Sequence, residues 1–350
     1  MKAAIWYGQK DVRIEEVPHP GHPASHDVLL EVIYCGICGT DLHEYLEGPI
    51  YIPQQPHPLT GQKAPLIIGH EIVARVVEIG AAVTRVKPGD RVALYPVLSC
   101  RSCWWCQKER YNQCAQIGYI GTSLNGGFAE LTLVPEYNCF KVPAGLSDEE
   151  AAVVEPVAAA VRAVKRSGLS VGEGVTVIGA GPIGLAAIQA ARAFGADPII
   201  ALDTIPARQK MAAAMGATFV LDPRSPELSA VIEAATDGRM TRYVFECVGI
   251  PATAELAFKL VAKDGVLMIV GVFDKTVPFN PTDIVNREYT IMGNMGGGSA
   301  FDLTLRLMEL GKIDAKPFVT GIMSLDQLVA GFHQFINHKE SHLKILIAPR

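Results

Sequence analysis

Residues 175–195 read VTVIGAGPIGLAAIQAARAFG, and this stretch decides the fold of the second half of the chain. The apolar run at 175–178 predicts a buried strand, and the amphipathic segment after it predicts a helix. Between them Gly179, Gly181 and Gly184 form the pattern G-x-G-x-x-G. In this context the glycines permit a tight turn and a close approach of the backbone, so that the helix N-terminus can bind a pyrophosphate. The pattern alone also fits a glycine-rich turn in another α/β sheet.

Pro182 and Ile183 open the predicted helix and belong to the same candidate dinucleotide site. Asp203 closes the next strand, nineteen positions after Gly184. A carboxylate at this point accepts hydrogen bonds from both hydroxyls of an adenosine ribose and repels a 2′-phosphate, which favours NAD over NADP. An aspartate after a strand is also an ordinary turn residue. Arg208 fits either the adenine side of the site or a solvated helix surface.

The two halves of the chain differ in rhythm. From about Ser170 to Gly293 six apolar runs alternate with helical segments, which predicts a parallel sheet covered on both faces, the doubly wound Rossmann arrangement. From Met1 to about Gly145 short β-like runs are separated by turn residues, which predicts a compact, mostly β domain. After Gly293 one helix and the extended segment LKILIAP are expected to return to that first domain.

Composition excludes several classes of protein. The 350 residues suffice for about two domains, and 31 basic against 36 acidic residues give a net charge of −5. Without a basic cluster, nucleic acid is not an expected partner. No membrane partner is expected either, because no apolar run is long enough to span a membrane. The N-terminus lacks a signal-peptide pattern and no apolar run reaches the roughly 18 residues of a membrane span, which predicts a cytoplasmic protein. Cysteines in that compartment stay reduced, so a cluster of them favours a metal site over disulfides.

Four cysteines lie in the segment CRSCWWCQKERYNQC. Cys100, Cys103, Cys106 and Cys114 have a spacing that lets one loop offer four thiolates to a tetrahedral zinc ion. Four protein ligands fill the coordination sphere, so this zinc is expected to be structural. A nucleic-acid-binding zinc ribbon has similar spacing, but the acidic chain argues against it.

A second metal candidate is scattered along the chain. Cys38 lies in CGICGTDLHEY and His70 in GHE. A catalytic zinc needs three protein ligands and an open position, and Glu155 in VVEPVAAAV is the candidate third donor because an unpaired carboxylate is costly in an apolar run. Cys35 and Cys38 also form a C-x-x-C pair, although the βαβ context of a thioredoxin-like dithiol is missing.

Glu155 has two simpler interpretations. Pro156 suits the first position of a helix, so the carboxylate of Glu155 could face the N-terminal dipole of the helix that follows. A salt bridge to an unidentified basic residue is the other. The residues alone leave these interpretations open.

Taken together, CGICGTDLHEY, GHE, the four-cysteine loop, VEP and GAGPIG resemble the zinc-dependent medium-chain alcohol dehydrogenases over essentially the whole chain. HPLTGQKAPLIIGHE at 57–71 and Glu155 in VVEP resemble the 2,3-butanediol and polyol branch. The resemblance implies an α/β protein. A GroES-like, mostly β catalytic domain would comprise 1–155 and 294–350, and a Rossmann dinucleotide-binding domain would comprise 156–293.

The resemblance also implies roles for site residues. Cys38, His70 and Glu155 would bind a catalytic zinc, directly or through water for Glu155, and Glu71 would be an alternative or transient ligand. Asp41 would orient His70. With the four-cysteine loop this gives two zinc ions per chain, and it favours the metal as the partner of Glu155.

Thr40 and His43 follow Cys38 at the spacing of the family's proton relay, in which the hydroxyl takes the alcohol proton and the imidazole passes it to solvent. A backbone-bonded hydroxyl and a surface histidine are the alternatives. Four further positions are those at which the family touches its cofactor: Val248, Val270, Asn294 and Lys344.

The sequence therefore predicts an NAD- and zinc-dependent dehydrogenase of a secondary alcohol such as 2,3-butanediol, or in reverse a reductase of the hydroxyketone. Sorbitol or another polyol, and threonine, are alternative substrates, and a dinucleotide-sensing zinc protein without turnover is an alternative of another class. Arg162 and the segment GNMGGGSAFD at 293–302 depart from the butanediol pattern, so the alcohol stays open. The family suggests a homodimer or homotetramer.

Overall fold

The computed structural model describes residues 1–338 and 340–350. The chain divides into two compact units, and each is described by itself. The first unit comprises Met1–Glu155, Phe301–Glu309 and Ala315–Arg350, and the second comprises Pro156–Ala300 and Leu310–Asp314.

The strands and helices follow one another along both units. In chain order the strands are β1 (Lys2–Gly8), β2 (Asp11–Glu16), β3 (Asp27–Gly36), β4 (Leu66–Ile67), β5 (Glu71–Ile79), β6 (Arg91–Leu94), β7 (Val97–Leu98), β8 (Gly118–Tyr119), β9 (Leu131–Pro135), β10 (Cys139–Lys141), β11 (Val175–Ile178), β12 (Ile199–Leu202), β13 (Phe219–Leu221), β14 (Thr241–Glu246), β15 (Val261–Ile269), β16 (Thr290–Gly293), β17 (Val319–Ser324) and β18 (Lys344–Ala348). The α-helices are α1 (Gly39–Glu47), α2 (Trp104–Gln107), α3 (Asp148–Ala152), α4 (Val154–Ser167), α5 (Pro182–Ala193), α6 (Pro206–Ala214), α7 (Leu228–Ala235), α8 (Pro251–Leu260), α9 (Pro281–Arg287), α10 (Phe301–Glu309) and α11 (Leu328–Asn337).

The second unit is built on one parallel sheet of six strands in the order β13-β12-β11-β14-β15-β16. All residues of the adjacent inner strands β11 and β12 are buried, because helices must cover both faces of a parallel sheet. This strand order is that of the doubly wound dinucleotide-binding fold, and it confirms the Rossmann prediction. The carboxyl ends of all six strands lie along one edge, where such folds bind their ligands.

The first unit is mostly β, as predicted. Its main sheet has the path β10-β6-β5-β3-β18-β17, with β9 also paired to β3, and a smaller sheet has the order β2-β1-β4. Six of the ten residues of β3 are buried and the others partly buried, and the strand pairs antiparallel with β5. Large side chains such as Trp6, Phe128 and Phe332 fill a core in which each is almost fully buried.

The second unit extends further along the chain than the predicted boundary. Residues 294–300 and Leu310–Asp314 belong to it, whereas the sequence analysis assigned both to the catalytic domain. The N–H of Asn294 continues the β16 ladder by donating to the carbonyl of Ile269 (3.0 Å). Asp314 exchanges two hydrogen bonds with the side chain of Gln189 on α5 (2.7 and 2.9 Å). These contacts hold both segments to the second unit, and no local sequence pattern predicts them.

No helix within the described residues is long and apolar enough to cross a membrane.

Candidate active site

The four-cysteine loop converges on one point. The ligand atoms of Cys100, Cys103, Cys106 and Cys114 all lie within 4.8 Å of one another. The Sγ atom of Cys106 is 3.6 Å from that of Cys103 and 4.0 Å from that of Cys100. A tetrahedral zinc with bonds of ~2.3 Å separates its sulfur ligands by about 3.8 Å, so the arrangement fits zinc. All four are free thiols, far from disulfide contact.

Backbone N–H groups point at these sulfur atoms, as thiolate ligands require. The amide of Cys103 donates to the Sγ atom of Cys100 (3.4 Å), and the amide of Gln116 donates to that of Cys114 (3.3 Å). Hydrogen bonds from the backbone and side chain of Ser102, together with the Cys103 amide, lower the pKa of Cys100 to about 6. Burial, with the neighbouring sulfur atoms, raises the pKa of Cys106 to about 12. One thiolate therefore forms readily, while full deprotonation of the cluster requires a cation.

Arg101 stabilises the start of this loop. Its guanidinium lies 3.9 Å from the ring centres of both Tyr111 and Tyr137, a double cation–π contact. The residue has a φ of +58°, in the left-handed region, and so turns the chain sharply between Cys100 and Cys103. The aromatic rings hold this turn in place.

A second cluster brings together Cys38, His70 and Glu71, whose ligand atoms lie within 4.8 Å of one another. Cys38 is the N-cap of α1, and His70 and Glu71 stand where the chain enters β5. A thiolate, an imidazole and a carboxylate form a donor set that zinc accepts, with one position left for a further ligand. The cluster therefore fits a catalytic metal, and among the described residues these two clusters are the only ones with three or more such donors.

Asp41 lies beside two members of this cluster. Its Oδ2 atom accepts the backbone N–H of Cys38 (2.9 Å), and its Oδ1 atom is 3.6 Å from Nδ1 of His70. Burial opposes a charge on His70, but Cys38 and Asp41 outweigh it and raise the pKa of the imidazole well above its usual value. The predicted contact between Asp41 and His70 is therefore close, but longer than an ordinary hydrogen bond.

Glu71 is fully buried, and Lys344 supplies its counter-charge. The Lys344 ammonium lies 2.6 Å from the Glu71 carboxylate and donates to the carbonyl oxygen of Ile37 (2.9 Å). Glu71 pairs with Gly36 across the β3–β5 ladder, and a Cβ atom on Gly36 would overlap its carboxylate. The sequence analysis assigned Lys344 to the cofactor and missed this ion pair. A lysine opening an otherwise apolar strand was the available signal.

Glu155 lies in the first turn of α4, as the helix-dipole interpretation requires. It also interacts electrostatically with His70 and Glu71 of the second donor cluster. Loss of hydration raises the pKa of its carboxyl group to about 7, with Glu71 adding to the rise and His70 and Lys344 opposing it. Its carboxylate is not among the three donors that lie within 4.8 Å of one another. Contact of Glu155 with a metal ion stays a prediction.

Thr40 and His43 occupy α1, which begins at the cluster. The hydroxyl oxygen of Thr40 is 3.9 Å from the sulfur of Cys38. His43 is exposed to solvent one helical turn further on. Thr40 thus lies beside the cluster, and His43, on the same helix, lies at the surface.

A buried carboxylate that sequence reasoning missed holds the loop after α1. Glu44, 1% exposed, accepts backbone N–H groups from Ile50 (3.0 Å), Tyr51 and Ile52 (3.2 Å). Tyr51 interacts electrostatically with Tyr119, whose pKa is raised to about 12 by burial and then by the neighbouring Tyr51 and Glu155. Tyr119 therefore lies near both this loop and Glu155.

In the second unit the glycine motif lies at the carboxyl end of β11. Gly179 has a φ of +92°, and a Cβ atom on Gly184 would overlap the carbonyl oxygen of Gly179. Gly181 is the N-cap of α5 without any side-chain cap, and a Cβ atom there would meet only Arg208, at 3.9 Å. The first N–H groups of α5, beginning with that of Ile183 after Pro182, are therefore open to an anion, and the cradle fits a pyrophosphate.

Asp203 follows β12 and is fixed by two backbone donors. Its Oδ2 atom accepts the N–H of Ala180 in the glycine turn (2.7 Å), and its Oδ1 atom accepts the N–H of Ile205 (2.8 Å). Each oxygen keeps a lone pair for a further donor. The carboxylate of Asp203 is thus hydrogen-bonded to the glycine turn at 179–181.

Three other predicted cofactor residues follow successive strands of the same edge. Val248 follows β14, and its Cγ2 atom would lie 2.5 Å from a Cβ atom on Gly179. Val270 follows β15. Asn294 follows β16, accepts a hydrogen bond from Arg162 (2.6 Å) and donates to the carbonyl oxygen of Ala159 (3.0 Å). Their cofactor contacts stay predictions.

Comparison with known proteins agrees with both units. Residues 24–144 match the alcohol dehydrogenase GroES-like domain, and residues 182–309 match the zinc-binding dehydrogenase family. The chain is 40% identical over 352 residues to (R,R)-butanediol dehydrogenase of Bacillus subtilis (strain 168), covering 100% of both chains. The chain belongs to the zinc-dependent medium-chain alcohol dehydrogenases.

Other members of this family match along nearly the full length. The crystal structure of 2R,3R-butanediol dehydrogenase from Bacillus subtilis superposes with a TM-score of 0.93 at 39% identity, covering 100% of this chain and 99% of the other. Sorbitol dehydrogenase of Bacillus subtilis (strain 168) is 33% identical, covering 100% of this chain and 97% of its own. A zinc-binding dehydrogenase from Sinorhizobium meliloti 1021, bound to NADP, has a TM-score of 0.89 at 30% identity and 99% coverage of both chains. Membership makes the chain an oxidoreductase of the alcohol dehydrogenase type.

Proposed function

We propose that this protein oxidises a vicinal diol, 2,3-butanediol or a close relative, with NAD as hydride acceptor and zinc at Cys38, His70 and Glu71 or Glu155. The reverse reaction reduces the hydroxyketone. The observation that carries the proposal is the buried donor cluster at α1 and β5, in a chain 40% identical to a butanediol dehydrogenase over its whole length.

The donor cluster would hold one catalytic zinc and the four-cysteine loop one structural zinc. Bound zinc supplies Lewis acidity, which lowers the pKa of an alcohol hydroxyl towards neutrality. The protein side of this site is a set of mutually close charges. Four groups there can lose a proton, Cys38, Asp41, Glu71 and Glu155, and two groups, His70 and Lys344, can carry a positive charge. Metal ligands must be deprotonated, and a dication would balance the negative charge that they then carry.

Thr40 and His43 would carry the alcohol proton away. The Thr40 hydroxyl, beside Cys38, accepts this proton as it donates its own along the relay. His43 is exposed, and its imidazole can both accept and donate a proton, so it exchanges the proton with solvent. A relay with one end at the metal ligand and the other at the surface allows the proton to leave without opening the site.

NAD is favoured over NADP by Asp203. Its position after β12 is the one at which a carboxylate accepts ribose hydroxyls, and its two backbone bonds prevent it from turning away from a 2′-phosphate. Repulsion between two anions in a site of reduced dielectric is worth several kcal/mol, on the order of 100-fold or more in affinity. A similar zinc-binding dehydrogenase is bound to NADP, so the preference for NAD has to be tested with both cofactors.

The experiment that tests this proposal is an assay of NADH formation by the purified, zinc-replete protein. Each stereoisomer of 2,3-butanediol, sorbitol, threonine and ethanol is offered as substrate, and the series is repeated with NADP and with Glu155→Ala. Zinc content is measured on every sample. Turnover of one butanediol isomer with NAD, with about two zinc ions per chain, is the expected result.

Three outcomes would contradict parts of the proposal. Preference for sorbitol would assign the site to polyols, the second candidate, which the 33% identity to a sorbitol dehydrogenase favours. Turnover of none of these alcohols by a protein that binds NADH would indicate a dinucleotide sensor. Wild-type turnover in Glu155→Ala would leave Glu155 with the helix dipole alone.

A further inference from the structure

Glu246 is a completely buried carboxylate at the end of β14 to which the reaction assigns no role. It lies in the centre of the parallel sheet, paired in register with Ile178 of β11 and Ile269 of β15. A buried charge is retained only where hydrogen bonds compensate for its lost hydration. The partners of Glu246 therefore indicate what it does.

All its side-chain partners converge on one oxygen. The Oε1 atom accepts the backbone N–H of Val248 (2.9 Å), the backbone N–H of Gly249 (2.9 Å) and the hydroxyl of Thr253 (2.7 Å). Two of these donors belong to the loop between β14 and α8. Both amides of this loop are bonded to one fully buried acceptor, and breaking such bonds would leave buried groups unsatisfied, so this loop is firmly held.

The same residue also holds the neighbouring loop. The backbone carbonyl oxygen of Glu246 accepts the N–H groups of Val270 (2.9 Å) and Gly271 (3.0 Å), which follow β15. A Cβ atom on Gly271 would lie 2.5 Å from the Oε2 atom of Glu246, so only glycine fits there. One residue thus fixes the backbone of both loops at the carboxyl edge of the sheet.

These loops adjoin the glycine motif. The side chain of Val248 borders Gly179, and the N–H of Cys247 donates to the carbonyl oxygen of Ile178, one residue before Gly179. Val248 is 43% exposed although its backbone is fastened, so an apolar side chain is presented to solvent at the edge where dinucleotides bind.

We propose that Glu246 is a positioning residue for the dinucleotide: its carboxylate holds Val248 and Gly249, and its backbone holds Val270, in the conformation that receives the cofactor. This inference rests on the proposed function for the identity of the ligand. A loop ordered in advance does not have to lose its freedom when the ligand binds, so the affinity is higher. Glu246 touches no reacting atom.

The test uses the zinc-replete protein and measures the Kd of NADH by fluorescence without any alcohol. Glu246→Gln removes the charge but keeps the shape, and we expect a Kd about tenfold higher, with kcat at saturating NAD within about twofold of wild type. Glu255→Gln, an exposed glutamate on α8, is the matched control and should bind NADH like wild type.

Thr253→Val separates positioning from simple stabilisation. It removes the hydroxyl bond to Glu246 and leaves both loop amides bonded. We expect a lower Tm and a Kd for NADH within about twofold of wild type. An equal rise in Kd in both variants would show that Glu246 acts only through stability, and a Kd within twofold of wild type in Glu246→Gln would overturn the inference.

Hydrogen exchange in the wild-type protein decides the matter even where Glu246→Gln does not fold. The amides of Val248 and Gly249 should exchange at least ~100-fold more slowly than in an unstructured chain before any cofactor is added. Fast exchange would overturn the inference.

Strong NADH binding without turnover of any alcohol would contradict the proposed diol oxidation alone, whereas failure to bind NADH would contradict the dinucleotide assignment itself.

Discussion

The two donor clusters of the first unit are built in opposite ways. The four-cysteine loop takes its sulfur atoms from a segment of fifteen residues, stands partly exposed, and is held by amides of the same loop. The cluster of Cys38, His70 and Glu71 takes its donors from a helix start and a strand start, and β18 supplies its counter-charge. The first depends on its ligand for shape, and the second depends on the sheet.

Because of this difference, substitutions in the two clusters should affect different properties of the protein. A loop without a hydrophobic core of its own gains its stability from the metal it binds. A cluster placed on strands keeps its geometry when one donor is lost, because the sheet persists. Loss of stability should therefore follow changes in the loop, and loss of turnover should follow changes in the second cluster.

The largest effect is expected from Cys106→Ser. This change removes the sulfur atom that lies close to those of both Cys100 and Cys103, and structural zinc sites contribute on the order of 10 kcal/mol to folding. We expect about one zinc ion less per chain and a large fall in Tm, measured by metal analysis and calorimetry. The control is Cys139→Ala, a buried cysteine outside both clusters. A variant with full zinc content and wild-type Tm would contradict the structural role.

Lys344→Met should have the next largest effect. It leaves Glu71 as a buried, uncompensated carboxylate, which destabilises proteins by about 3–5 kcal/mol. Urea unfolding measures the loss in the free energy of unfolding. The double variant Lys344→Met/Glu71→Gln removes both charges and should be more stable than Lys344→Met alone. Equal stability of Lys344→Met and wild type would show that solvent reaches the pair.

Cys38→Ser tests the second cluster directly. A weaker ligand of nearly the same size should lower kcat at least ~100-fold, while the Tm changes by only a few degrees because β3 and β5 remain paired. The control is Cys35→Ala, the other half of the C-x-x-C pair. Equal loss of activity in both variants would instead favour a dithiol.

Arg101→Leu is expected to have the smallest effect. It removes the guanidinium from between Tyr111 and Tyr137, at a cost of about 1 kcal/mol. The affinity of the loop for zinc should fall several-fold, measured by competition with a chelator. Arg110→Leu, an exposed arginine of the same loop, is the matched control. An unchanged zinc affinity in Arg101→Leu would show that the N–H donors alone shape the loop.

Much of the architecture was predictable because its signals are local. The six apolar runs of the second half became six parallel strands, and the glycine pattern became a strand-to-helix turn with an open helix N-terminus. The spacing of the four cysteines was enough to predict that they converge. In each case the residues concerned lie within a few positions of one another, so the covalent chain limits where they can go.

Non-local partners were not predictable. The resemblance gave Lys344 as a cofactor residue, which stays a prediction. A lysine in an apolar strand signals that some partner exists, but the sequence does not say that Glu71 is that partner. Glu246 and Glu44 were both overlooked. Glu246 lies among apolar neighbours in YVFECV, the feature that drew attention to Glu155, whereas Glu44 lies in the mixed segment DLHEYLE, which gives no such signal. The predicted boundary between 293 and 294 differs from the division into compact units, in which 294–300 and Leu310–Asp314 belong to the second unit. Side-chain contacts with α4 and α5 hold those segments there, and such contacts are not local in the sequence.

The fold class, the family resemblance, the glycine turn and the four-cysteine loop followed from the sequence alone, because residues close in sequence are kept close by the backbone. Three relations became visible only in the folded chain. Lys344 forms an ion pair with Glu71, and Glu155 lies close enough to His70 for their charges to interact. The buried Glu246 accepts hydrogen bonds from two loops beside Gly179. Those relations depend on strand order and register, such as the pairing of Gly36 with Glu71, and register is set by how the whole sheet packs.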